Sequence, residues 1–268
     1  MHSGDGAVRW PPGSSAHRVA ERSGSVIRVG TAGWSLPRAV QQHFPGEAPH
    51  LARYAQIFPA AEINSSFHRP HKPGVYARWA ASTPPSFRFA VKIPKTITHT
   101  AKLVAPEALL DVFLAESAAL GARRDCLLVQ LPPSLQFDGV TARAFLAALR
   151  DRWPGDAVLE PRHPTWFSGE AEAMMVEHRI GRVAADPVRV PGANVPAGWP
   201  DVAYYRLHGS PRTYYSSYAS DHLATLAARL LAHQREGART WCIFDNTASG
   251  AAAGNALELL RRLADREA

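Results

Sequence analysis

Eight short apolar runs, at 26–30, 61–64, 88–93, 126–131, 157–160, 183–186, 203–207 and 241–244, punctuate this chain and constrain its fold more than any other feature. Each has the length of a strand covered on both faces and is too short for a buried helix. Seven amphipathic stretches with apolar residues near a 3.6-residue period lie among them, at 50–58, 74–81, 106–120, 141–152, 169–179, 220–235 and 251–263. Strand then helix, repeated eight times, is the pattern of an α/β fold of the TIM type, the (β/α)8 barrel. The roughly 240 residues from Val26 onward match its usual length of about 250. The sixth crossover is irregular: 190–200 carries Pro191, Gly192, Pro196, Gly198 and Pro200, so a loop or one helical turn is expected in place of a helix. An open doubly wound sheet is the competing architecture, but Gly30-Thr31-Ala32-Gly33-Trp34 lacks the GxGxxG spacing of a dinucleotide-binding turn.

With 46% hydrophobic and 20% charged residues the chain can bury a large core, and one barrel domain over 26–268 is the expected organisation. Residues 1–25, with Gly4, Gly6, Pro11, Pro12 and Gly13, read as a flexible, disordered tail. No apolar run approaches the roughly 18–20 residues of a membrane span, and the first 25 residues lack the apolar segment of a secretory signal. A cytoplasmic protein without a membrane partner is therefore expected. Cys126 and Cys242 each lie singly inside an apolar run and read as buried thiols. The net charge of +7 favours anionic partners, although the arginines are scattered. Only 4 of the 30 basic residues are lysine, so Lys92 and Lys95 in one short motif stand out.

Alternate strand positions face opposite sides. In the fourth run Leu127, Val129 and Leu131 form an apolar set that must face helices, which turns Cys126, Leu128 and Gln130 inward. In the seventh, Tyr204, Arg206 and His208 share one face. The same reading puts Glu62, Asn64, Lys92, Glu160, Asp186 and Asn246 on inward lines, at the strand ends where barrel enzymes place their chemistry. Any one of them could instead satisfy loop backbone. Burying two carboxylates, a lysine and an arginine together costs several kcal/mol unless they are paired or bind something, and this favours a site.

Specific strings cluster at those ends: Gly30-Thr31-Ala32-Gly33-Trp34, Glu62-Ile63-Asn64-Ser65-Ser66-Phe67, Lys92-Ile93-Pro94-Lys95-Thr96-Ile97-Thr98-His99, Gln130-Leu131-Pro132-Pro133-Ser134, Glu160-Pro161-Arg162-His163-Pro164-Thr165-Trp166, Arg206-Leu207-His208-Gly209 and Phe244-Asp245-Asn246-Thr247. In this order they closely resemble the YecE-like family, domain of unknown function 72. The resemblance implies a TIM-type barrel and supplies no established activity. Three positions depart from it: Pro161 stands where an aromatic residue is common, His68 where tyrosine is usual, and Asp245 in place of the first of two asparagines. A carboxylate at 245 adds negative charge beside any anion site.

Chemically, Glu62 and Glu160 are the candidate acid and base of a hydrolase or lyase, facing each other across a substrate. Lys92 and Lys95 present cations to a phosphate or carboxylate; alternatively Lys92 is a Schiff-base amine, or simply an ion-pair partner of Glu62. His208 completes the catalytic candidates. Arg162, Arg206 and His163 suit a shared anion, Asn246 and Thr247 a phosphate at the last strand or a helix cap, and Trp34, Phe67 and Trp166 flat walls for a ring. Asn64, Ser65, Gln130 and Asp186 complete the substrate-binding set. No cofactor is required by the sequence; a divalent metal would draw on Glu62, Glu160, Asp186 and His208, without a diagnostic spacing. Ser65 and Ser66 are weaker nucleophile candidates, lacking a GxSxG elbow. An enzyme acting on an anionic, phosphorylated or nucleotide-like molecule is the leading expectation, and a non-catalytic nucleic-acid or anion binder the alternative.

Overall fold

The computed structural model describes residues 26–267, so the expected tail, 1–25, lies outside the described residues. Ten strands, β1 (Ile27–Thr31), β2 (Ala60–Ile63), β3 (Arg88–Lys92), β4 (Arg124–Gln130), β5 (Asp156–Glu160), β6 (Gly181–Arg182), β7 (Ala184–Asp186), β8 (Ala197–Gly198), β9 (Val202–Leu207) and β10 (Arg239–Phe244), alternate with seven α-helices. These are α1 (His50–Tyr54), α2 (Pro73–Ala81), α3 (Glu107–Ser117), α4 (Gly139–Arg152), α5 (Gly169–Glu177), α6 (Ser220–Arg235) and α7 (Ala251–Glu267). Asp138 caps α4 by accepting from Thr141 N–H at 2.8 Å, and Ser168 caps α5 through Ala171 N–H at 3.2 Å.

The fold is mixed α/β with parallel sheets. One sheet has the order β1-β10-β9-β7, the other β2-β3-β4-β5-β6-β8, and every pairing is parallel except that of β8 with β6. The ladders therefore make two sheets and no closed ring, which corrects the single closed sheet expected from the pattern.

Each seam between the sheets has a local cause. Between β1 and β2 the Tyr54 hydroxyl takes the place of ladder bonds: it accepts from Thr31 N–H at 2.8 Å and donates to the Ala60 carbonyl at 3.0 Å. The strands still press together there, since a Cβ on Gly30 would fall 2.1 Å from the Ala60 oxygen. Beyond the phenol a single bridge joins Ala32 to Glu62, with Gly33 N–H donating to the Glu62 carbonyl at 2.8 Å. At the other seam the sixth strand divides at Val183: β6 pairs with β5, and β7 pairs with β9.

Side chains follow the inward and outward alternation. Ala60, Ala90, Cys126, Leu128, Val158, Val183, Val202, Tyr204, Trp241 and Ile243, drawn from both sheets, pack into one inner cluster. Leu127, Val129, Leu159, Tyr205, Leu207 and Phe244 face the helices in the larger core, with Leu223, Leu226 and Leu230 of α6. At the strands' N-terminal ends Arg28 pairs with Asp125 at 3.2 Å and Arg239 grips Asp156 at 2.6 and 2.7 Å, each pair crossing from one sheet to the other.

No helix joins β7 to β9, as the prolines and glycines of 190–200 require; in its place β8 adds two residues antiparallel to β6. The space left outside these strands is a cavity of about 410 Å³, bounded by Ala184, Asp186, Tyr205 and Leu207 and by Asp221, Thr225 and Arg229 of α6. Among the described residues no helix is long and apolar enough to cross a membrane.

Candidate functional site

Arg206 is the centre of a buried ion cluster at the C-terminal ends of the strands. Its alternate position on β9 turns it inward beside Tyr204, where it is fully buried. The guanidinium donates to Glu62 of β2 through Nε (2.9 Å) and Nη2 (2.6 Å), to Glu160 of β5 through Nη1 (2.8 Å), and to Asp245 after β10 through Nη2 (3.1 Å). One planar fork thus serves three carboxylates through four bonds, one more than the three N–H groups of a lysine could make. Tyr204 Oη donates to Glu62 Oε2 at 3.0 Å.

Glu160 Oε1 also accepts from Gln130 Nε2 at 3.0 Å and from Arg162 Nε and Nη2 at 3.1 and 3.0 Å. Burial alone would push its carboxyl up, but Arg206, His208 and Arg162 outweigh it and hold the group well below the usual carboxylate range. His208 lies between two acids, Nε2 3.1 Å from Glu160 and Nδ1 2.9 Å from Asp245. Burial opposes its protonation, yet Glu160 and Asp245 prevail and raise its pKa above the ordinary histidine value. Asp245, likewise penalised by burial, is lowered by Arg206, His208 and Lys92.

Lys92, the last residue of β3, is 5% exposed. Its Nζ lies 4.0 Å over the Phe67 ring. Among the described residues it takes part in no ion pair or side-chain hydrogen bond, because Arg206, Arg162, His208, Gln130 and Tyr204 already occupy the neighbouring carboxylates. Burial, then Arg206, lower its pKa to about 8 against the pull of Glu62, Glu160 and Asp245. Around it the rim is positive: burial lowers the His99 pKa, and so do Lys92, Arg162 and Lys95. Lys95 is exposed, and Tyr214 lies edge-on to His208 with ring centroids 5.8 Å apart.

Several residues read from the sequence as site members fall elsewhere. Glu62 and Glu160 do not face each other across a gap, since both bind one arginine. Asp186 turns outward, accepts from Tyr218 Oη at 2.8 Å and borders the cavity beside α6. It cannot join Glu62, Glu160 and His208, and the described residues contain no group of three or more His, Cys, Asp or Glu placed to hold a metal ion. Asn246 also points away from the cluster, donating to Ser216 O and Asn255 Oδ1 at 2.9 Å each, so it braces the loop after β9 against α7. Thr247 is exposed, its carbonyl accepting from Gly250 N–H.

Trp34 packs on Trp79 and Phe89, and Trp166 on Phe137 with its indole donating to Leu135 O at 3.0 Å. Trp166 is a core aromatic, and Trp34 is half-buried against the core. His163 caps its own turn, Nδ1 accepting from Thr165 N–H at 3.3 Å. Ser65 bonds His71 at 2.8 Å, while Ser66 donates to the Ile63 and Lys92 carbonyls, so neither hydroxyl is directed at His208. Asn64 is half-buried at the end of β2, with its Oδ1 unpartnered.

Asp245 and Tyr204 are the cluster members absent from the expected site residues. Trp241 and Ile243 lie in the inner cluster, while Cys242 and Phe244 lie in the outer core. Counting by twos from Trp241 therefore reaches Asp245 and not Asn246.

Parallel strands ending in a buried, mixed-charge cluster define an α/β protein with a polar centre at its strand ends. The chain belongs to the family described as protein of unknown function DUF72, whose model matches residues 28–268. It is 33% identical over 150 residues to the UPF0759 protein YecE of Escherichia coli (strain K12), a match covering 55% of this chain; the chain spans about half (53%) of that curated relative. Two solved structures share the fold. A DUF72 family protein from Enterococcus faecalis V583 superposes with TM-score 0.76 at 21% identity, over 89% of this chain and 96% of that one. Another from Thermotoga maritima MSB8 gives TM-score 0.74 at 26% identity, over 89% and 99%.

Proposed function

We propose that the two sheets are halves of one (β/α)8 barrel domain over residues 26–268, whose mouth binds a small carboxylated or phosphorylated molecule and acts on it by proton transfer. The observation that carries this reading is Lys92, a buried amine with no anionic partner. Three carboxylates, Glu62, Glu160 and Asp245, are met by Arg206, Arg162 and His208, and the fourth cation is left over. Burying an unpaired ammonium costs several kcal/mol, and the negative charge of a ligand would offset that cost. Arg162, 22% exposed, and Lys95 lie on the approach to it and extend the positive rim.

Within this reading each residue has a distinct task. Arg206 and Glu62 form the fixed base of the site. His208, held between Glu160 and Asp245 with a raised pKa, is the proton donor, and Glu160, kept ionised by Arg206, His208 and Arg162, holds the imidazole in its charged form. Inorganic phosphate titrated into the protein, followed by calorimetry at constant ionic strength, tests the binding. Saturable binding, weakened at least tenfold in Lys92→Met and Arg162→Met, supports the reading. Binding that is absent from the wild type, or untouched by both substitutions, would overturn it.

A further inference from the structure

We infer that Lys92 is a nucleophilic amine that forms an imine with an aldehyde or ketone bearing a phosphate or carboxylate. This rests on the anion-binding reading above and adds carbonyl chemistry to the same mouth. An amine meant only for charge balance would sit on Glu62 or Glu160, both within its electrostatic reach. Those oxygens are instead taken by Arg206, Tyr204, Gln130, Arg162 and His208, which leaves the Nζ lone pair uncommitted once the amine is deprotonated.

The side chain is also held in place. Ser66 Oγ donates to the Lys92 carbonyl at 2.7 Å, and the amine rests 4.0 Å above Phe67, whose ring meets His99 edge-on at 4.9 Å. At 5% exposure the side chain is largely buried, and its amine keeps only a small opening to the surface. Arg162 and Lys95 stand at the rim and hold the anionic group that charged Lys92 helps to draw in, once the neutral amine turns to the carbonyl carbon. With its pKa lowered to about 8, roughly a tenth of the amine is neutral at pH 7, against about one part in three thousand for an ordinary lysine.

The step balances without a redox partner. The neutral nitrogen attacks the carbonyl carbon and the C–N bond forms as the carbonyl π pair moves to oxygen. Nitrogen loses a proton and oxygen gains one, giving a carbinolamine. A second proton, supplied by His208 from its place between Glu160 and Asp245, turns the hydroxyl into departing water as the C=N bond forms, and the protonated imine returns its N–H proton to the now neutral His208. One water leaves per imine.

Reductive trapping decides the matter. The full-length protein is incubated with glyoxylate or with pyridoxal 5′-phosphate, reduced with borohydride, and mapped by peptide mass over its four lysines, Lys72, Lys92, Lys95 and Lys102. The expected result is labelling of Lys92 at least tenfold above the other three by one or both probes, suppressed by inorganic phosphate and absent in Lys92→Met. Lys92→Arg keeps the charge and should still bind phosphate without being labelled. Even labelling of all four lysines, or no labelling of Lys92 by either probe while phosphate still binds, overturns the imine and leaves the anion site standing. Failure of phosphate to bind or protect would remove the anion site itself.

Discussion

Replacing Lys92 by methionine should make the ligand-free protein more stable, the reverse of the usual result for a change at a buried position. The amine's pKa falls from 10.5 to about 8 on folding. The unfolded chain thus binds more protons between these values, and stability rises with pH across that interval. Below about 8 the penalty is complete and amounts to about 3 kcal/mol; above about 10.5 it has vanished. Methionine fills a similar volume over Phe67 and carries no charge, so Lys92→Met should gain up to about 3 kcal/mol at pH 7, equivalent to several degrees in Tm. Urea denaturation of both proteins at pH 7 and near pH 10.5 measures this. The variant should lead at neutral pH, and the difference should shrink as the pH rises. A variant less stable than the wild type at pH 7, or one whose advantage is the same at both pH values, would refute the reasoning. The expected loss of phosphate binding in the same variant would mark Lys92 as a position where stability is traded for function.

Arg206→Met leaves Glu62, Glu160 and Asp245 without their shared cation and should cost at least about 3–5 kcal/mol, read as loss of the cooperative thermal transition. Asp245→Asn should lower the His208 pKa, measurable by an NMR titration of the imidazole. In the wild type the stabilisation from charged His208 is complete below about pH 6.5 and is lost as pH rises through its raised folded value, so the variant should show a flatter stability profile there. Gly30→Ala forces a methyl into the Ala60 carbonyl, and Tyr54→Phe leaves the Thr31 N–H and Ala60 carbonyl without the bridging hydroxyl; each should lower stability by about 1–3 kcal/mol in denaturant titrations.

Much of this architecture is legible in the sequence, because strand length, helical period and the irregular sixth crossover are local properties. Alternation within strands turns Glu62, Lys92, Gln130, Glu160 and Arg206 inward, since each lies two residues from an apolar inward neighbour, and His208 follows two residues after Arg206. The same rule misplaces Asp186 and Asn246, where the parity needed an anchor. Val183 and Ala185 share one side of the sixth strand, which sends Ala184 and Asp186 to the other, and in the last strand Trp241 fixes the line that ends at Asp245. What a linear sequence does not contain is the distance across the mouth. Two glutamates look like an acid and base until a single guanidinium is found bonded to both. Trp34 and Trp166 look like ligand walls in the sequence for a related reason: nothing local distinguishes a rim aromatic from one that packs, wholly for Trp166 and partly for Trp34, into the core.

The ion cluster has a second role that follows from where its members originate. Arg206 belongs to one sheet, with Asp245 just after its strand β10, and Glu62 and Glu160 belong to the other, so the cluster's bonds are also a clasp between the two sheets. A ligand seated against Lys92 and Arg162 would therefore tighten one sheet against the other, and its arrival should register as slower hydrogen exchange along both seams, far from any atom it touches.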